Sequence, residues 1–159
     1  MNTTKNSLPA KARSQATEIL NQSLADLSDL HSQTKQAHWN VRGSHFYSLH
    51  KLFDDLAGAV GGHLDEIAER ATALGGVAQG TIRQAAKASR LPEFPSDQED
   101  DLEFVSALIE RFALAANATR QAIEETAQLG DADTADLFTA VSRDLDKALW
   151  MLEAHNRAD

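Results

Sequence analysis

Four residues between positions 50 and 69 have the types and spacing to hold a metal ion. His50 and Asp54 stand four positions apart, and so do Asp65 and Glu69. Each residue turns an α-helix by about 100°, so with His50 at zero the four fall at roughly 0°, 40°, 60° and 100°, along one stripe. Leu49, Phe53, Leu56, Val60, Leu64, Ile67, Ala71 and Leu74 occupy a different arc, roughly 200° to 320°. The helix thus keeps one face for its own core and another for something else. Imidazole and carboxylate suit divalent transition ions, whose ligand atoms lie about 2 Å from the metal. His50 and Asp65 are separated by about 22 Å of helix, so one chain cannot bring both pairs to one ion. An antiparallel copy of the same helix across a two-fold axis can, because it sets His50 and Asp54 of one chain opposite Asp65 and Glu69 of the other. The axis would pass near residue 59 or 60, where the sequence reads Ala57-Gly58-Ala59-Val60-Gly61-Gly62. Glycine costs a helix about 1 kcal/mol relative to alanine, and a solvated face gives no return for three in one turn. Close approach of a second helix does. A pair spaced by four is common on solvent-facing helices, and His50 with Asp54 alone reads equally as a surface ion pair; the shared face and the reciprocal spacing favour metal.

The other histidines are quieter. His38 continues an apolar stripe and reads as a core histidine, His31 and His63 as core or supporting residues, and His45 and His155 as exposed residues near helix ends. Asp97, Glu99, Asp100, Asp101 and Glu103 are explained by the macrodipole at a helix start. Asp131, Asp133 and Asp136 have the same explanation, with the alternative that they line an entry pore in a symmetric shell. The chain lacks a phosphate-cradling G-x-x-x-x-G-K-[ST] loop and the H-E-x-x-H of zinc proteases.

Helices must position these residues. Only three prolines occur, Pro9, Pro92 and Pro95, and alanine is abundant, which leaves two long stretches free of the strongest helix breaker. Ile19, Leu20, Leu24, Leu27 and Leu30 keep amphipathic spacing from Ala16 to about Asn40. Ser44 can cap a second helix that ends at Gly75-Gly76. Ser96-Asp97-Gln98-Glu99 reads as a capping box opening a third, closed by Gly130. Asp131 or Asp133 can cap a fourth carrying Leu137, Val141, Leu145, Leu149 and Leu152. Short connections make helices one and two, and three and four, antiparallel hairpins. The long middle connection, with a short helix at about Thr81 to Ser89, sets helices two and three parallel. One such crossover defines an all-α, ferritin-like four-helix bundle.

The composition narrows the chemistry. With 159 residues the chain makes one domain. It has no cysteine, which excludes thiolate zinc, iron–sulfur clusters and disulfides. No signal peptide or membrane-spanning run is visible, so a cytoplasmic protein is expected. The net charge of −9 argues against constitutive nucleic-acid binding. Lys5, Lys11 and Arg13 nevertheless precede the first acid, Glu18. The chain divides into a flexible basic arm, residues 1–13, and a bundle domain, residues 14–159.

At QAHWNVRG, LHKLFDD, HLDEIAERATALGG and TADLFTAVSRDLDKALWMLEAH, the sequence resembles the Dps mini-ferritins, named as DNA-binding proteins from starved cells. The resemblance covers nearly the whole chain after the first dozen residues. It implies a di-iron ferroxidase site shared between two subunits, with His38, His50 and Asp54 from one chain and Asp65 and Glu69 from its two-fold partner. It thereby turns His38 from a core residue into a ligand, and sets Trp39 beside the site. It further implies a hollow homododecamer that oxidises Fe(II), with hydrogen peroxide preferred to oxygen, and stores ferric mineral behind acidic pores. Asp136 is then the first pore candidate, with Asp131 and Asp133 after it. DNA binding through Lys5, Lys11 and Arg13 transfers least directly, because an anionic shell repels DNA and salt screens three cations. The flank Asn6 to Pro9 offers the alternative of packing onto the shell. The competing function is a nucleoid-associated, DNA-protecting protein with a minor metal role.

Overall fold

The computed structural model describes residues 1–156. Its helices are α1 (Ala10–Asn40), α2 (Phe46–Ala73), α3 (Ile82–Ala88), α4 (Asp101–Gln128) and α5 (Ala132–Glu153). Helices α1, α2, α4 and α5 form the bundle, and α3 lies in the crossover. No helix among the described residues is long and apolar enough to cross a membrane.

Short turns make α1 and α2, and α4 and α5, antiparallel neighbours. The relation between the two hairpins follows from two side-chain links. The backbone N–H of His45, just before α2, donates to Asp101 Oδ2 at 2.7 Å, so α2 and α4 begin at the same end. At the opposite end, Arg70 Nη2 donates to Asp131 Oδ1 at 2.6 Å, joining the close of α2 to the start of α5. The bundle therefore has one long crossover, as expected. That crossover is pinned along α1 by buried and half-buried polar groups. Asp26 accepts from the Arg90 backbone at 2.8 Å and from its guanidinium at 2.6 Å. Asn21 donates to Val77 O, Gln22 to Ala88 O, and Gln33 to Pro92 O.

The apolar stripes meet in one core. Leu20, Leu27, Leu30, Phe53, Ile67, Leu108, Phe112 and Leu145 are fully buried. The expected face of α2 is buried throughout except Leu64, which is partly covered. Phe138, one position from the expected Leu137, is the fully buried residue on its turn of α5.

Three helix starts differ from the sequence reading. Helix α1 begins at Ala10, behind Pro9, and not at Ala16. Proline is pre-set for a helix start and spares an unsatisfied N–H there. The arm expected over residues 1–13 thus ends at Pro9, and Lys11 and Arg13 belong to α1. Ser44 does not cap α2; the cap residue is His45, without a side-chain cap. The capping box of α4 is Asp100 with Glu103 and not Ser96 with Glu99. Both tetrads have suitable types, but starting at Asp101 lets that carboxylate reach the N–H of His45 and tie two helix starts together. Asp131 caps α5, one of the two residues expected to.

Candidate metal centre

The last turns of α1 and the first turns of α2 lie side by side, which brings His38 against His50. Their rings stack with centroids 3.8 Å apart and planes 20° apart. Each ring bonds to the other residue's backbone: His38 Nδ1 to His50 O at 2.7 Å, and His50 Nδ1 to His38 O at 2.8 Å. A carbonyl oxygen only accepts, so both Nδ1 atoms carry hydrogen. In the neutral ring the lone pair then resides on Nε2. The bond also answers a backbone need, because His38 O is one of the last four carbonyls of α1, which lack an intrahelical partner. The pair is thus held in the tautomer that a metal-binding histidine uses, with its orientation fixed from behind.

Asp54 lies one turn beyond His50, exposed, and Lys35 Nζ donates to its Oδ1 at 2.7 Å. That ammonium, by its hydrogen bond and its charge, holds the Asp54 carboxyl below the usual carboxylate range. Lys35 also lies 6.0 Å from the ring centroid of Trp39, which is exposed. A cation arriving at Asp54 competes with Lys35 for the same oxygen. Sequence reasoning did not single out Lys35. The signal was present, since it stands three and four positions before His38 and Trp39 on one face.

Asp65 and Glu69 are exposed near the far end of α2, and among the described residues their carboxylates make no hydrogen bond or ion pair. No group of three His, Asp or Glu close enough to hold one ion occurs among the described residues of a single chain. The helix between the pairs is open. An added Cβ at Gly58 or Gly62 would meet nothing within 4 Å, whereas one at Gly61 would touch the His31 ring at 3.5 Å. Among the described residues nothing therefore calls for glycine at 58 and 62.

The remaining candidates separate clearly. Asp131 is 1% exposed, accepts from Thr134 N and Thr134 Oγ1 and pairs with Arg70. It serves as the buried cap of α5. Asp133 and Asp136 are exposed and line a shallow concavity with Glu66, Glu69 and Arg70. Arg13 is also occupied, donating through Nε to Leu8 O at 3.2 Å and through Nη1 to Leu74 O at 2.9 Å. The amide of Asn2 donates to Gly75 O at 2.6 Å. The segment before α1 therefore lies against the end of α2, leaving Lys5 in that segment and Lys11 in the first turn of α1 as exposed cations. His63 is mostly buried and its Nε2 bonds Asp144 Oδ2 at 2.9 Å, linking α2 to α5.

The Ferritin family model, described as a ferritin-like domain, matches residues 17–158. A DNA protection during starvation protein of Agrobacterium fabrum is 47% identical over 152 residues, covering 96% of this chain and 94% of that one. The one from Streptococcus suis is 33% identical over 147 residues, covering 92% and 84%. Among solved structures, DpsC of Streptomyces coelicolor superposes with a TM-score of 0.94 at 33% identity, covering 99% of this chain and 92% of its own. The Dps protein of Vibrio cholerae O1, described as a member of a broad superfamily of ferritin-like diiron-carboxylate proteins, has a TM-score of 0.89 at 27% identity, covering 97% and 96%.

Proposed function

Because the chain belongs to the ferritin-like family of Dps mini-ferritins, we propose that it is a cytoplasmic ferroxidase and iron-storage protein that limits oxidative damage to the cell and its DNA. Its substrates are Fe(II) and hydrogen peroxide, the latter used in preference to oxygen. Two Fe(II) ions give up one electron each, the O–O bond of peroxide breaks, and two protons complete two waters. Taking both electrons together denies peroxide the single-electron step that releases hydroxyl radical. The ferric product is stored as mineral inside a homododecamer.

The observation that carries this reading is the reciprocal His38–His50 clamp, which leaves an Nε2 lone pair on each of two stacked rings, with Asp54 one turn along α2 from His50. In this reading Asp65 and Glu69 of a two-fold partner complete the site. The exposed faces of Gly58 and Gly62 support that closure, since none of the described residues packs against them. Asp54 attracts the cation and releases Lys35, while the carboxylates offset the added charge of the ferric state. Asp136 and Asp133, beside Glu69, raise the local Fe(II) concentration on the route in.

DNA contact is secondary in this proposal. The net charge of −9 is repeated over every copy, and Arg13 is spent on Leu8 and Leu74. The competing reading, a nucleoid-binding protein with a minor metal role, rests on the relatives' names and on Lys5 and Lys11. Anaerobic Fe(II) titration of the assembled protein, followed by peroxide or by oxygen, separates the two. Saturable Fe(II) uptake with faster oxidation by peroxide is expected. Absence of saturable uptake would refute the ferroxidase reading.

A further inference from the structure

Two of the four histidines that the ferroxidase reading leaves aside, His45 and His155, gather at the end of the bundle where α2 and α4 begin. His45 caps α2, and His155 follows the end of α5. Both line one concavity, together with Leu102, Ser106 and Asn156. Each imidazole is fixed from behind through the same nitrogen. His45 Nδ1 lies 3.1 Å from Asp101 Oδ2, and His155 Nδ1 lies 2.8 Å from Met151 O. Asp101 is nearly inaccessible and also accepts from the His45 backbone N–H at 2.7 Å. An ionised carboxylate and a carbonyl both only accept, so Nδ1 carries the hydrogen in each ring and Nε2 keeps the lone pair.

We propose that His45 and His155 form a second divalent metal site, separate from the His38–His50 centre. The donor set is two neutral imidazoles, with the Ser106 hydroxyl, the Asn156 amide oxygen and water to complete the shell. Imidazole with neutral oxygen suits zinc or copper(II) better than magnesium or calcium, which prefer all-oxygen shells. The carboxylate behind His45 makes the same contribution as the acids behind zinc-bound histidines elsewhere: it sets the tautomer and the orientation of the ring. His45 has a side-chain exposure of 57%, so a cation from solvent can reach it. With only two strong donors, the site fills reversibly at micromolar metal and is not a structural zinc centre.

Zinc(II) titration of the assembled protein by calorimetry tests the proposal. His155→Gln and, separately, His45→Gln should each remove about one zinc equivalent per chain, since a lone imidazole is a weak anchor. Glutamine at 45 retains an N–H for Asp101, so the helix junction survives, and light scattering verifies the assembly. Copper(II) added to His50→Ala should give an electron paramagnetic resonance signal split by two imidazole nitrogens, reduced to one when His155→Gln is added. Peroxide-driven Fe(II) oxidation should be unchanged in both glutamine variants. Equal zinc stoichiometry in the parent and the variants would overturn the site. Loss of Fe(II) oxidation on changing His155 would overturn its separateness.

Discussion

His38 and His50 give their Nδ1–H to each other's backbone carbonyl, so neither ring can turn without breaking its own bond. Such preorganisation makes two ligands available at no further ordering cost, and it predicts which changes matter. Glu69 and Asp65 lie on a solvent-facing stripe, and substitution there typically shifts stability by about 0.5 kcal/mol or less. Glu69→Ala or Asp65→Ala should therefore leave thermal unfolding of the shell nearly unmoved. Oxidation should slow by at least the roughly 10- to 100-fold that losing an outer partner of a metal ligand costs. Stopped-flow absorbance at matched low iron checks this, and parental rates would remove both residues from the site. Lys35 makes the opposite prediction. Its ammonium holds Asp54 at 2.7 Å, so Lys35→Met should tighten anaerobic Fe(II) binding by freeing the carboxylate. Weaker binding would show that Lys35 positions Asp54 instead of competing for it. The ligand stripe on α2 was legible in the sequence because it depends on helical period alone. The partnership of His38 with His50 came from the family resemblance alone, because it depends on the register between two helices and periodicity carries no information on register.

The junction of α2 with α4 is held by one carboxylate. Asp101 accepts from the His45 N–H, and a side chain at Gly43, whose φ is +139°, would strike the same carboxylate with its Cβ at 2.5 Å from Oδ2. These bonds favour the ionised form and depress the folded-state value of Asp101. The contribution is therefore present above the unfolded value, about 3.9 for aspartate, and is lost as pH falls through the lower folded value. Asp101→Asn should lower the melting temperature at pH 7, and the gap from the parent should close as pH falls toward 3. A gap independent of pH would mean that packing, not charge, makes the junction. The same junction explains why helix existence was readable and helix starts were not. The crossover and α3 are written in proline spacing and in the Thr81–Gln84 capping box. The start of α4 had two candidate boxes, and a contact with a residue 56 positions away decided between them. At the other end, Arg13 chose between two roles equally compatible with its sequence: a free cation for phosphate, or a clasp on Leu8 and Leu74.

Assembly is where the chain's charge and its half-built site acquire meaning. Light scattering in iron-free buffer should give the mass of a dodecamer, and a stable monomer would leave the α2 stripe without its second half. That shell should bind DNA weakly or not at all at physiological salt, and Lys5→Gln combined with Lys11→Gln should abolish any low-salt retardation, since Arg13 is occupied. Asp136→Asn should slow Fe(II) uptake without changing affinity at the ferroxidase centre, because focusing acts on entry rate. The shared site itself is tested by mixing. One double variant, His50→Ala with Asp54→Ala, lacks the first half; another, Asp65→Ala with Glu69→Ala, lacks the second. Each alone should be nearly inactive. After unfolding together and reassembly from equal amounts, half the two-fold pairs should contain one chain of each kind. Every such pair has one site with all four residues and one with none. Activity should therefore return to about a quarter of the parental level when pairing is random and sites are independent. A site built within one chain yields no recovery, because neither variant contains a complete set. A mixture as inactive as its parents, with reassembly verified by size, would therefore place both halves of the site in the same chain or exclude one of them from it.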